Sequence, residues 1–188
     1  MSDSDSARAR EYRHLSTVLD RDDPAVSDDE RLDLARRLVR LAPAQAGSWW
    51  KLATQIDWML RDVEGHELAQ HPLFSELQAA WDRAIELDSS DAAAPYNKST
   101  SLRRAGLLRE AFTALMLAGA TEAAHPSSDI EWPASWHFED AASVALELSD
   151  HVSAIHAARA ALGAGAADSS PECLLERLRE ESGSPGPA

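Results

Sequence analysis

The residues in this chain that are most able to do chemistry are the histidines of the segment His66–His71. A glutamate follows the first of them, and the second lies five positions after the first. The zinc-protease pattern needs histidines four residues apart, because only then do both point from one helix face at one metal ion. A gap of five turns the second about 140° away from the first, and Pro72 makes a regular helix through this point unfavourable. The segment therefore predicts a polar loop that holds no metal and no cofactor.

No other segment has the residues of a catalytic centre. His151 and His156 show the same five-residue gap. The Gly-x-Ser-x-Gly pattern of a serine nucleophile is missing, and no glycine-rich phosphate loop with its lysine precedes a helix. Cys173 is the only cysteine, and a lone cysteine beside leucines is more often packed than reactive. The sequence nominates no catalytic residue, and we expect a protein that is not an enzyme.

The composition favours helices and a soluble protein. Of the 188 residues, 44% are hydrophobic but only 6% are aromatic, which suits close helix packing better than a sheet. The net charge of −14 argues against a nucleic-acid binder, since attraction to phosphates needs lysine and arginine. The chain has no N-terminal apolar run and no apolar stretch of membrane-spanning length, and its single cysteine fits a reducing compartment. We therefore expect a cytoplasmic protein with no membrane partner.

The elements that must position the polar residues are helical hairpins, and the clearest of them is Ala92–Gly119. A helix-forming run from Tyr96 to Ala105 ends at Gly106, a position suited to a left-handed C-cap. A second run, Arg109–Ala118, places its apolar residues on one face by 3–4 spacing. The small residues that would let the two helices approach closely are Ser99, Ala111 and Ala118.

A pattern of residue types at regular spacing runs from the segment before the hairpin through both of its helices. Its residues are Trp81–Asp88, Tyr96-Asn97-Lys98, Leu102, Gly106, Glu110-Ala111, Leu115 and Ala118. This pattern resembles the tetratricopeptide repeat (TPR), a helix–turn–helix unit of about 34 residues. The resemblance implies an all-α fold, a short TPR-like α-solenoid of antiparallel helix pairs with a C-terminal capping helix.

The resemblance also implies a division of the chain into repeat units. One helical domain, 1–181, is expected, followed by a disordered tail at 182–188. The pattern is interrupted at 61–75 and 126–134, and an inserted loop is where a feature specific to this protein is expected. The predicted units are a degenerate unit 7–43, the units 46–91, 92–125 and 135–168, and a cap 171–181.

Local signals predict where individual helices begin. Ser27–Glu30 reads as a capping box, and Ser48 is the predicted N-cap of the next helix. Pro72 is expected in the first turn of the helix that follows the interruption. Further along, Ser149-Asp150 replaces the usual glycine turn, and its aspartate is suited to cap the following helix.

In the family that the chain resembles, the first helix of each unit lines a concave groove, so the resemblance nominates binding residues. Tryptophan, tyrosine and arginine most often dominate binding energy at interfaces. Asn97 matches one position of the clamp with which some members hold a C-terminal carboxylate, but the other clamp positions do not match, so binding to chaperone tails is not expected. The nominated partner-binding residues are Trp50, Thr54, Asp57, Trp58, Tyr96, Asn97, Thr100, Arg103 and Arg104. The alternative for the two tryptophans is packing against the N-terminal helices.

These residues lead to three hypotheses of function. The first is a non-catalytic adaptor that binds a peptide or helix of another protein, with the aromatic residues burying partner surface and the two arginines orienting an acidic group. The second is an immunity-type or inhibitor protein whose acidic surface neutralises a basic enzyme. The third is a metal-dependent hydrolase built on the segment 61–75, which would carry bound zinc.

Overall fold

Helices account for almost all of the part of the chain that the computed structural model describes, residues 3–21, 25–127 and 133–165. These ranges contain nine helices and no strand, so the predicted all-α class is confirmed. The helices are α1 (Asp3–Asp20), α2 (Asp28–Leu41), α3 (Ala46–Met59), α4 (Gly65–Gln70), α5 (Phe74–Leu87), α6 (Ala93–Arg104), α7 (Leu108–Ala124), α8 (Ala134–Glu147) and α9 (His151–Gly163). The predicted cap at 171–181, the predicted tail at 182–188 and Cys173 lie outside the described residues.

The chain divides into two compact units, Met1–Asp88 and Ser89–Ala188. In the first unit α1 packs on α2, α2 on α3, and α3 on α5, with the short α4 beside α5. In the second unit α6 packs on α7, α7 on α8, and α8 on α9. Consecutive helices therefore pack as pairs, as the repeat pattern predicts. That 1–181 is a single domain stays a prediction.

The capping box at the start of α2 is formed. The Ser27 hydroxyl accepts a hydrogen bond from the Glu30 N–H at 3.3 Å, and the Glu30 carboxylate accepts one from the Ser27 N–H at 2.9 Å. These bonds favour the charged carboxylate, so the pKa of Glu30 lies below its ordinary value. All partners lie within four residues of one another, which is why the sequence alone predicts this helix start.

Helix α3 begins earlier than predicted. It starts at Ala46 with Gln45 as its N-cap, so the prediction of Ser48 as the N-cap is wrong. The indole N–H of Trp49 donates to the Pro43 carbonyl oxygen at 2.8 Å, which ties the first turn of α3 to the turn after α2. Ser48 therefore lies inside that first helical turn, where it is fully buried.

The interruption at 61–75 contains a short helix and not only a polar loop. Helix α4 buries Leu68 completely, so an apolar side chain anchors the segment. In the turn that follows, the Phe74 N–H donates to the His71 carbonyl oxygen at 2.9 Å. Because this turn occupies the positions around Pro72, α5 begins at Phe74, and the prediction of Pro72 in its first turn is wrong.

Two helix ends in the second unit close through a left-handed residue. The φ angle is +77° at Gly106 after α6 and +57° at Ser149 after α8. In both places the next residue donates its N–H to the carbonyl oxygen five residues earlier, at 2.9 Å and 2.8 Å respectively, which is the Schellman arrangement. The Asp150 carboxylate then accepts the Ser153 N–H at 3.1 Å and caps α9. The predicted C-cap at Gly106 and the predicted N-cap at Asp150 are both confirmed.

The close contact between α7 and α8 depends on a glycine. A Cβ atom placed on Gly119 of α7 would lie 2.6 Å from Cε1 of Phe138 on α8, far inside van der Waals contact. The phenyl ring is itself buried, so it has no room to move away. Only glycine lets the two helices approach this closely around an aromatic ring. Elsewhere the α7–α8–α9 core consists mainly of small buried residues: Ala111, Ala114, Ala118, Ala141, Ala142, Ala145, Ala154, Ala157, Ala158 and Ala161.

The two left-handed helix ends give opposite predictions for stability. Ser149→Gly should raise the free energy of unfolding by up to about 1 kcal/mol, because a side chain in this conformation is strained. Gly106→Ala should lower it by about 1 kcal/mol for the same reason. Urea denaturation of the wild type and both variants measures the two changes. Shifts of the same sign would contradict the explanation.

The close approach at Gly119 gives a second stability prediction. Gly119→Ala should destabilise the chain by about 1–3 kcal/mol through overpacking, although alanine is the better helix former by about 1 kcal/mol. Gly163→Ala at the end of α9 is the matched control, because nothing lies within 4 Å of its added Cβ. Thermal unfolding should show a lower midpoint for the first variant and no loss for the second.

Candidate functional site

The first helices of two successive hairpins, α6 and α8, are linked by polar and aromatic side chains. The rings of Tyr96 and His137 have centroids 5.1 Å apart at an angle of 55°. One turn or more further along, Arg103 forms an ion pair with Glu147. Both contacts join the face of α6 that carries nominated binding residues to the neighbouring helix. This face is therefore held in place by its own side chains.

An open concavity of about 340 Å³ lies on this face. Tyr96, Thr100 and Arg103 are spaced three and four residues apart along α6, so they share one side of the helix. Asp140 of α8 completes the opposite wall. We call this feature the α6–α8 concavity; the residues that line it are Tyr96, Ser99, Thr100, Arg103, Arg104, Leu115 and Asp140.

A second hollow begins on the other side of Tyr96. It has a volume of about 400 Å³ and lies between the start of α6, the end of α7 and the first turn of α8. The residues that line this His137 cavity are Ser90, Asp91, Ala92, Ala93, Tyr96, Asn97, Glu122, His125, Ser127 and His137. The structure thus divides the nominated residues of α6: Asn97 lines the His137 cavity, Thr100 and the two arginines line the α6–α8 concavity, and Tyr96 borders both.

Burial shifts the titration of the groups around these hollows. It lowers the pKa of His137, against the attraction of Glu122 and Asp140. It raises the pKa of Asp140, against the opposing influence of Arg103 and His137. It also raises the pKa of Tyr96, with a further contribution from Asp140. Desolvation therefore favours the neutral form of each of these three groups.

In the first unit the nominated residues have different surroundings. Thr54 and Trp58 line a recess of about 250 Å³ together with Leu19, Asp20, Asp28, Arg31 and Gln55. The Trp58 side chain is 56% exposed, and the Arg61 guanidinium lies 4.8 Å from the centroid of its ring. Asp57 is half-buried and does not line this recess.

Trp50 packs against another tryptophan. Its ring meets that of Trp81 edge to face, with centroids 5.1 Å apart and an angle of 81°. Trp81 is buried in α5 and Trp50 is half-buried in α3. Trp50 thus packs on α5, the second helix of its own predicted unit, and not on the N-terminal helices that the packing alternative names, whereas Trp58 is more than half exposed.

The histidines of 66–71 do not converge on a common point. His66 is exposed in α4, while His71 follows that helix and accepts the Leu73 N–H on its Nδ1 at 3.2 Å. His151 and His156 are exposed on α9. Among residues 3–21, 25–127 and 133–165, no group of three His, Cys, Asp or Glu residues is placed to hold a metal ion.

His137 and Asp140 are site residues that sequence reasoning missed. The signal was present in the register of α8, because His137, Ala141 and Val144 share one side of the helix by 3–4 spacing. The two apolar members of that set are fully buried, and the same spacing carries His137 into the interior. A polar residue in an apolar stripe could therefore have been nominated.

Comparison with known proteins supports the fold and goes no further. No protein-family model matches the chain, and no curated protein matches it. Among solved structures, the crystal structure of MamA protein is similar with a TM-score of 0.64, over 93% of this chain and 84% of the MamA chain. MamA contains tetratricopeptide repeats, and the fold is therefore similar to that of a TPR-type helical repeat protein. At 14% sequence identity, the similarity concerns the fold alone. No described helix is both long and apolar enough to span a membrane.

The different surroundings of the two tryptophans predict different costs of truncation. Trp50→Ala should lower the free energy of unfolding by about 2 kcal/mol, since it removes buried surface and an aromatic pair. Trp58→Ala should cost less than about 1 kcal/mol, because an exposed ring loses little beyond its contact with Arg61. Chemical denaturation of both variants checks this order, and equal losses would refute it.

Proposed function

We propose that the chain is a non-catalytic interaction module that holds a peptide or helix of another protein against the α6–α8 concavity. The observation that supports this most directly is the row Tyr96, Thr100 and Arg103, which shares one side of α6 and lines an open hollow. Tyr96 supplies an amphipathic surface of the type that dominates interfaces. Within the first unit, Trp58 is more than half exposed and is a separate candidate for contact with a partner.

The arginines are proposed to orient an acidic group of the bound segment. Arg103 already pairs with Glu147, and both side chains are between two fifths and one half exposed. An exposed pair of this kind contributes only about 0–1 kcal/mol, so a carboxylate of the partner can replace Glu147 at little cost. Arg104 lines the same concavity and adds a second positive charge to it.

The acidic character of the chain favours one alternative function, an inhibitor of a basic enzyme. With a net charge of −14, the surface attracts a basic protein from a distance, as an inhibitor of a basic enzyme requires. Binding of that kind weakens steeply as salt is added, while binding through buried aromatic surface does not. A cytoplasmic location, which both functions allow, stays a prediction.

A displayed library of random peptides, selected against the immobilised full chain, tests the proposal. Thr100→Arg should weaken binding of a selected peptide about tenfold or more, because the long side chain fills the concavity. Thr113→Arg on α7 is the matched control. Both threonines are exposed, and each donates its hydroxyl to the carbonyl four residues earlier. Titration calorimetry gives the two affinities.

Three results would contradict the proposal. The first is a library from which no peptide is enriched, and the second is a selected peptide that binds the Thr100→Arg variant as well as the wild type. The third is an equal loss in both arginine variants, which would indicate a general charge effect. A steep loss with salt that neither substitution changes would favour the acidic-inhibitor alternative.

A further inference from the structure

The His137 cavity holds a buried polar atom without a hydrogen bond. The His137 side chain is only 3% exposed, yet it lines the cavity. Within the described residues its Nδ1 atom makes no hydrogen bond. A buried polar atom of this kind carries a free-energy cost until it gains a partner. The cavity is therefore a place where an added polar group would be stabilised.

The charged groups that line the cavity have one sign. Asp91 and Glu122 lie on its wall, and none of the described lining residues is a lysine or an arginine. The Glu122 carboxylate accepts bonds from the N–H and hydroxyl of Ser127, at 2.7 and 3.0 Å, which fix its position and leave its negative charge in place. The starts of α6 and α8 add partial positive charge and the end of α7 adds partial negative charge. These partial charges are smaller than the full charges of the two carboxylates.

The geometry excludes two classes of ligand. A metal ion is disfavoured, because no three His, Cys, Asp or Glu residues in the described ranges are placed to share one. An anion is disfavoured as well, since it would meet the two carboxylates and the His137 imidazole, which burial keeps neutral. The two carboxylates and the unpartnered Nδ1 atom of His137 favour instead a cation that donates several hydrogen bonds.

We infer that the His137 cavity binds one arginine side chain of the partner segment. A guanidinium carries five N–H donors and no acceptor, which suits the acceptors offered by Glu122, Asn97 and His137. Its flat face can stack on the ring of Tyr96, as arginine does on aromatic side chains and lysine does less often. That the arginine belongs to a bound protein rests on the proposed function; that the cavity takes a guanidinium does not.

Small probes test the cavity without a partner. N-acetyl-arginine amide should bind the full chain about tenfold or more tightly than N-acetyl-citrulline amide, which has the same shape without the charge. Calorimetry gives the affinities, and the NMR signals of the labelled His137 ring should move with the arginine probe alone. Equal binding of the two probes, no binding of either, or tighter binding of acetate would overturn the inference.

A matched pair of variants locates the binding. Glu122→Gln should weaken binding of the arginine probe about tenfold, and it keeps an amide oxygen to accept the Ser127 N–H. Glu110→Gln makes the same change on the same helix away from the cavity, and its affinity should equal that of the wild type. Equal affinities in both variants would overturn the inference.

The pH dependence of the unmodified chain provides a measurement that needs no variant. Groups from three helices act on His137: Tyr96 from α6, Glu122 from α7, and Asp140 from α8 itself. Asp91 before α6 and His125 at the end of α7 also line the cavity. The pKa of His137 lies below its ordinary 6.5, so the ring is neutral near neutral pH and becomes a repelling cation as the pH falls. The titratable residues of α9, namely His151, His156 and Arg159, are exposed.

Binding of the arginine probe should weaken about fivefold or more between roughly pH 7.5 and pH 4.5. An affinity that is constant or rises as the pH falls would overturn the inference.

The outcomes also separate this inference from the proposed function. If the arginine probe fails to bind while a selected peptide still binds and is lost with Thr100→Arg, the cavity assignment is wrong and the interaction module stands. If the probe binds and no peptide does, the cavity assignment stands and the interaction module is wrong.

Discussion

The close packing of α7 against α8 is the constraint on which the second unit depends. Gly119 leaves room for the ring of Phe138, and most of the other buried residues of α7 and α8 are alanines. An alanine buries little apolar surface on its own, so the helices must lie close for their many small contacts to add up. This requirement fixes the position of α8, and α8 carries His137 and Asp140.

The polar side of α8 follows from that fixed position. Because small residues fill the core side, the larger polar side chains meet α6, where Tyr96 and Arg103 face His137 and Glu147. The same arrangement buries groups that titrate and shifts their pKa values towards the neutral forms. The α6–α8 concavity and the His137 cavity are thus consequences of the core packing, and charged side chains line both of them.

Features that depend on a few neighbouring residues could be predicted from the sequence. The capping box at Ser27, the left-handed turn at Gly106 and the cap at Asp150 each involve partners within five residues. The neighbours of His137 could not, because Tyr96 and Glu122 come from other helices that only the folded unit brings beside it. Likewise, Trp50 is nominated as a binding residue because it is a tryptophan, whereas its edge-to-face contact with Trp81 is a property of the folded unit.

A core built from alanine and glycine requires little more than that the buried side chains be small. Many different sequences meet this requirement, and the residues outside the helix contacts can differ between them. This tolerance explains how a chain can share a TM-score of 0.64 with MamA at 14% identity. Chains with this kind of core can therefore carry different surface residues on a similar helical framework.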